Sequence, residues 1–113
     1  MEWGGCKKMI DCLIDSGNLL TEPFSGLPVI LCSREALFAQ ATPPPAVKRR
    51  VIPAKTVNGE SLLEGFLPDR IILHREGEAP ELKQAVIGFT EKGFSRTASS
   101  EIQGLIPAVL LEN

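Results

Sequence analysis

A mainly β fold with one or two short helices follows from three features of the chain. Turn-forming residues are dense: 10 glycines and 9 prolines recur at short intervals along 113 residues, which suits short strands better than long helices. Apolar runs rich in Val, Ile, Leu and Phe alternate with these turn signals. One dipeptide, Asn58-Gly59, separates two such runs, as in a tight hairpin. The length allows one hydrophobic core and is too short for two, so residues 1–113 are read as a single domain.

The elements follow in order. Met9-Ile10-Asp11-Cys12-Leu13-Ile14 reads as a strand that delivers Asp15 to a turn, because Asp15-Ser16-Gly17-Asn18 favours turn conformations. Pro23-Phe24-Ser25-Gly26 is a second turn, and Leu27 to Cys32 a second strand with Pro28 at its start or edge. Ser33 can cap a short helix over Arg34 to Gln40, which Thr42-Pro43-Pro44-Pro45 stops. Val51 to Val57 and Glu60 to Phe66 flank Asn58-Gly59 in the hairpin. Ile71 to His74 is a further strand, Arg75 to Glu81 a polar loop, and Ala85 to Gly88 a buried strand closed by its glycine. Thr97 to Gln103 suits a short helix capped by Ser99 or Ser100. The apolar run Gly104 to Leu111 requires cover from the core or from a partner subunit.

Composition narrows the function. Lys plus Arg number 12 against 14 Asp plus Glu, a net charge of -2, and the only basic cluster is Lys48, Arg49 and Arg50, so nucleic acid is not an expected partner. The longest stretch free of charge, Ala36 to Val47, is twelve residues with three prolines, too short to cross a bilayer. The opening residues lack the pattern of a secretory signal, so a cytoplasmic setting is expected. Cys6, Cys12 and Cys32 are odd in number and carry no CxxC spacing, which argues for buried thiols over a disulfide framework or a metal site. No cofactor is implied. The single histidine, His74, reads as an exposed strand end. Trp3 and Phe66 read as packing residues, and Asp11 and Asp69 as solvated or turn-capping carboxylates.

Leu13-Ile14-Asp15-Ser16-Gly17 has the form of an aspartic-peptidase signature, with two apolar residues, an aspartate, a hydroxyl residue and a glycine. The apolar pair anchors a strand, Asp15 supplies a carboxylate, Ser16 a bracing hydroxyl, and Gly17 a bare backbone where an opposing loop and a water must approach. The tripeptide alone arises by chance in about one chain in twenty of this length. Its extension is more specific: Asn18-Leu19-Leu20 follows, then Glu22-Pro23-Phe24-Ser25-Gly26-Leu27-Pro28-Val29, Arg50-Val51-Ile52-Pro53 and Gly65-Phe66-Leu67-Pro68-Asp69. Together, from about Ile10 through Gly88, these resemble the peptidase domain of the sporulation sigma-E factor-processing peptidases, the SpoIIGA family. The order of strand, Asp-Ser-Gly, hairpin and Val86-Ile87-Gly88 is similar to the retroviral-type aspartic peptidases.

The resemblance implies a retropepsin-like closed β-barrel with a flap hairpin, and an aspartic endopeptidase that removes the pro-sequence of an inactive sigma factor. It implies that Asp15 is catalytic, that Ser16, Gly17 and Asn18 support its loop, and that Thr56, Val57, Asn58 and Gly59 form a substrate-covering flap. One Asp-Ser-Gly per chain requires a homodimer to complete the pair of carboxylates. The implied setting is the cytoplasmic face of a mother-cell membrane, reached through an amino-terminal membrane domain that is not in this chain, with a forespore signalling protein as a further partner. Asn18 replaces the usual retroviral alanine and fits the sporulation family. Phe89 stands where many retroviral enzymes carry arginine, and the hairpin tip is poorer in glycine than a typical flap. A non-catalytic peptide-binding module on the same scaffold is the alternative expectation.

Overall fold

The computed structural model describes residues 1–38, 48–56, 59–90 and 102–112. Ten strands and one α-helix run in the order β1 (Glu2–Trp3), β2 (Cys6–Lys7), β3 (Cys12–Asp15), β4 (Val29–Ser33), α1 (Arg34–Phe38), β5 (Arg49–Thr56), β6 (Gly59–Phe66), β7 (Ile71–Leu73), β8 (Glu81–Lys83), β9 (Val86–Thr90) and β10 (Gly104–Pro107), with a 3-10 turn over Ala108–Leu111. The mainly β expectation holds.

Six strands form one mixed sheet in the order β3-β10-β4-β9-β6-β5, and two-stranded sheets β1-β2 and β7-β8 flank it. The centre is β4, paired in parallel with β9 and antiparallel with β10. Buried on both faces, β4 carries a continuous apolar run instead of an alternating one. Ile30 and Cys32 face one core layer with Trp3, Leu37, Phe66, Ile87 and Phe89, while Val29 and Leu31 face a second with Ile52 and Val86. Trp3 packs edge-on against Phe66 at 5.3 Å, and Phe89 against Phe38 at 4.9 Å. Phe89, which stands where many retroviral enzymes carry arginine, is therefore a core aromatic. Each fully buried large apolar side chain contributes about 1.5–3 kcal/mol.

The closed barrel is not what these strands form. Among the described residues β3 pairs only with β10 and β5 only with β6, so both are edges of an open sheet. The physical reason lies in β6, which meets β9 only through Gly65↔Gly88 and Phe66↔Ile87. The rest of the β5-β6 hairpin projects past the sheet as a two-stranded arm, with Val51 and Leu62 exposed. At its base the two facing glycines leave a slot for Ile52: a Cβ at Gly65 would meet Ile52 Cδ1 at 2.8 Å.

Several expectations shift. The hairpin register pairs Thr56 with Gly59, so Gly59 opens β6 where it was expected in the turn, and Val57 and Asn58 lie outside the described residues. Ile52 then lies opposite Leu63, and Gly65 is left for the close approach of Ile87. Gly59 has φ 113°, a conformation glycine adopts without strain. The strand expected to end at Gly88 continues to Thr90, because Gly88 is paired on both sides, with Leu31 and with Gly65. Met9 to Asp11 precede β3 outside the ladder, and His74 follows β7. The helix capped by Ser33 forms, with the Ala36 N–H donating to Ser33 Oγ at 3.1 Å, while Gln40 lies outside the described residues. So does most of the helix expected over Thr97 to Gln103; Gln103 itself lies outside any helix, and its N–H donates to the Asp11 carbonyl. No helix among the described residues is long and apolar enough to cross a membrane.

Candidate active site

Asp15 is the last residue of β3, opposite Pro107 of β10, and is half-buried. The apolar strand Cys12–Asp15 carries it to the sheet edge, and the chain turns at once: the Asn18 N–H donates to the Asp15 carbonyl at 3.2 Å. The Gly17 N–H donates to Asp15 Oδ1 at 2.9 Å, an Asx-type turn that orients the carboxylate. A Cβ at Gly17 would press on that oxygen at 3.3 Å, which is why glycine suits the position. Among the described residues Asp15 has no ion-pair partner, and its second oxygen accepts no hydrogen bond.

Ser16 and Gly17 are exposed at the turn, and Asn18 is buried. The Asn18 side chain ties the loop to its return strand, with Nδ2 donating to the Val29 carbonyl at 2.9 Å and Oδ1 accepting from the Leu20 N–H at 3.2 Å. A carboxamide provides both functions and alanine neither. The structure thus brings Asp15, Ser16, Gly17 and Asn18 into one loop.

The expected flap residues lie elsewhere. Thr56 and Gly59 pair at the end of the projecting arm, and Val57 and Asn58 lie outside the described residues. In the strand ladder the arm and Asp15 sit at opposite edges, and among the described residues the Asp15 side chain hydrogen-bonds only within its own loop.

Glu22 and Arg50 are functional candidates that the sequence reading passed over. Glu22 has no solvent-accessible surface, and its Oε2 accepts hydrogen bonds from the Phe24 N–H and, at 3.2 Å, the Ser25 N–H. Its Oε1 lies 3.3 Å from Arg50 Nε, an ion-pair contact without hydrogen-bond geometry. Burial works to raise the Glu22 pKa, but the backbone N–H groups of Phe24 and Ser25, the Ser25 hydroxyl and the Arg50 guanidinium outweigh it and hold the carboxyl below the ordinary range. The loop from Asp15 to Val29 is therefore pinned at its near end by Asn18 and at its far end by Glu22. The signal available in the sequence was the acidic residue directly before Pro23-Phe24-Ser25-Gly26, a position from which a carboxylate can reach turn N–H groups.

Asp11 and Asp69 are placed as turn and surface groups: Asp69 Oδ2 accepts from the Gly4 N–H and its other oxygen pairs with Lys48. No cluster of metal-ligating side chains occurs among the described residues.

Compared with known proteins, residues 1–100 match the family model Peptidase_U4, sporulation factor SpoIIGA. The chain belongs to the SpoIIGA family. It is therefore a member of a sporulation-related peptidase family, and the match spans both the Asp15 loop and the hairpin arm. No curated protein and no solved structure matches. Among the described residues Asp15 makes no ion pair, whereas Glu22, Asp69, Glu78 and Glu81 do.

Proposed function

We propose that this SpoIIGA-family chain is an aspartic endopeptidase that works as a homodimer, with one Asp15 from each subunit completing the reactive pair. The observation that carries the reading is the position of Asp15: an oriented carboxylate with a free oxygen, at the end of an edge strand whose neighbours Leu13 and Ile14 are 54% and 53% exposed. An unpaired strand edge with exposed aliphatic side chains is a surface that a second copy can cover.

In such a dimer two adjacent carboxyl groups share one proton, because both cannot ionise cheaply side by side, as in aspartic peptidases generally. The ionised member takes a proton from a water as that water attacks the scissile carbonyl, and the protonated member hydrogen-bonds to the carbonyl oxygen as charge develops there. Gly17 holds the carboxylate orientation through its N–H. The projecting β5-β6 arm has unpaired backbone groups on its outer edge and can lie along an extended peptide, which supports a role for Thr56 to Gly59 as a flap. The substrate proposed is the pro-sequence junction of an inactive sigma factor, processed on the mother-cell side of a membrane and responsive to a forespore protein.

The test is a subunit-mixing experiment with a pro-sigma substrate. Asp15→Asn should abolish cleavage while leaving folding and self-association unchanged. Mixed in equal amounts with the unaltered chain under exchanging conditions, it should reduce activity per active chain, leaving about a quarter of dimers with two aspartates. Unchanged cleavage by the variant removes Asp15 from the reaction, and activity that falls only in proportion to dilution removes the shared pair. The binding-module alternative draws on the distance in strand order between Asp15 and the arm. Peptide binding without cleavage by the dimer is the outcome that selects it.

A further inference from the structure

A cavity of about 570 Å³ lies between the β1-β2 hairpin, β7 and the sheet. That volume falls within the range of about 300–1,000 Å³ typical of small-molecule sites. It is separate from the Asp15 loop. Cys12 lines it, whereas Asp15, three residues further along the same strand, projects to the other face of the sheet. Its floor is apolar, built from Ile30, Ile71, Ile87, Ile106 and Leu110.

The mouth differs in character. Lys7, Lys8, Arg70 and Lys83 line it beside the carboxylates of Glu2 and Asp11. Arg70 is paired with Glu2 at 3.8 Å and Lys83 with Glu81 at 3.0 Å. Lys7 and Lys8 have no ion pair among the described residues. An uncharged or cationic ligand leaves these two ammonium groups uncompensated, and a polar metabolite loses hydration against the aliphatic floor.

We propose that this cavity binds a small ligand with an apolar body and a single anionic head, of the class of medium-chain carboxylates, the head lying at Lys7 and Lys8 and the chain over Ile71 and Ile87. Cys12 provides the readout. The neighbouring Cys32 thiol lowers the Cys12 pKa, while Cys32 itself is raised by the same neighbour and by burial. The missing side chain of Gly104 makes room for the pair, since a Cβ there would lie 2.8 Å from Cys12 Sγ and 3.3 Å from Cys32 Sγ. Cys12 is therefore the more reactive of the two, at the cavity wall. Cys6, also half-buried, does not line the cavity and serves as an internal reference.

The experiment follows alkylation of the intact chain by N-ethylmaleimide, resolved by peptide mass spectrometry, with decanoate below its micelle concentration. At ligand about tenfold above its dissociation constant, Cys12 should be modified about tenfold more slowly and Cys6 at an unchanged rate. Lys7→Gln combined with Lys8→Gln should abolish the protection while leaving the ligand-free Cys12 rate as it was, which also reports that the variant folds. Decyltrimethylammonium, with the same chain and opposite charge, should give none. The proposal is overturned by equal protection from the cation, by equal slowing of Cys6, by absence of protection at saturating decanoate, or by protection from anionic vesicles alone. Each of these outcomes is independent of peptidase activity.

Discussion

Glu22 Oε1 lies 3.3 Å from Arg50 Nε, so the loop that follows Asp15 is joined to the base of the β5-β6 arm by a buried carboxylate and a partly exposed guanidinium. Glu22 also satisfies two N–H groups of its own turn, Phe24 and Ser25. One side chain thus closes the loop and ties it to the neighbouring hairpin. Glu22→Leu should destabilise the chain by about 1.5–3 kcal/mol, the scale of hydrogen bonds to a charged group, by leaving those N–H groups unpaired. Arg50→Leu should cost less, since the Glu22 carboxylate keeps its turn N–H partners. The two together should cost less than the sum of the singles, because they interact directly. Urea unfolding of the four chains measures the coupling, and strict additivity contradicts the link.

The same residue sets a pH response. The folded Glu22 carboxyl is held below its ordinary value, so the stability it contributes is fully present above the unfolded value of about 4.3 and is lost as the pH falls through the folded value. Unfolding free energy should therefore decline below about pH 4.5, and Glu22→Gln, which cannot ionise, should flatten that decline while starting from a lower plateau. Urea midpoints across this range check the sign. A variant whose acid loss equals that of the unaltered chain removes Glu22 as the cause.

Asn18 makes a prediction about chemistry type. Its carboxamide donates to the Val29 carbonyl and accepts from the Leu20 N–H while buried. Asn18→Ala leaves both backbone groups without their partner, a cost of roughly 1–3 kcal/mol. Asn18→Asp keeps the acceptor but sets a carboxylate oxygen against the Val29 carbonyl, so it should be at least as damaging at neutral pH and recover on protonation, when the carboxyl can donate. Thermal unfolding at two pH values distinguishes the pair. Equal stability of all three chains shows that the loop does not depend on this bridge.

Local chemistry was legible in the sequence and long-range closure was not. Ser33 announces the start of α1, and its hydroxyl accepts the expected hydrogen bond. A strand leading to Asp15 and the turn at Ser16 to Asn18 both appear, though the strand starts at Cys12 instead of Met9, because residues adjacent in sequence decide them. The sheet is open where a barrel was expected, since closure depends on β3 and β5 meeting, and no local pattern specifies a pairing between strands so far apart. Gly88 looked like a strand end but lies mid-strand, because its missing side chain serves packing against Val29 and Ile52. The first hairpin, β1-β2, escaped notice although Gly4 and Gly5 both adopt positive φ, its strands being only two residues each. Glu22 was hidden for the opposite reason, as a charged residue is ordinarily read as solvated, and its burial follows from turn N–H groups and an arginine distant in sequence.

The proposed pairing of two Asp15 residues makes the β3 edge the candidate seam. Leu13 and Ile14 lose little when changed in the free subunit, since both are more than half exposed, so Leu13→Asp and Ile14→Asp should each alter unfolding free energy by within about 0.5 kcal/mol. If the β3 edge is the seam, each places a charge where apolar surface would be covered, and the dimer dissociation constant should rise by at least about tenfold, equivalent to about 1.4 kcal/mol. Leu62→Asp, at a 70% exposed position on the projecting arm, provides the comparison and should leave self-association unchanged. Sedimentation equilibrium measures all three. Weakened association for Leu13 and Ile14 alone, accompanied by a parallel loss of peptidase activity that high protein concentration restores, ties catalysis to this edge. Association unchanged by either substitution places the seam elsewhere and leaves each Asp15 without its mate at the β3 edge.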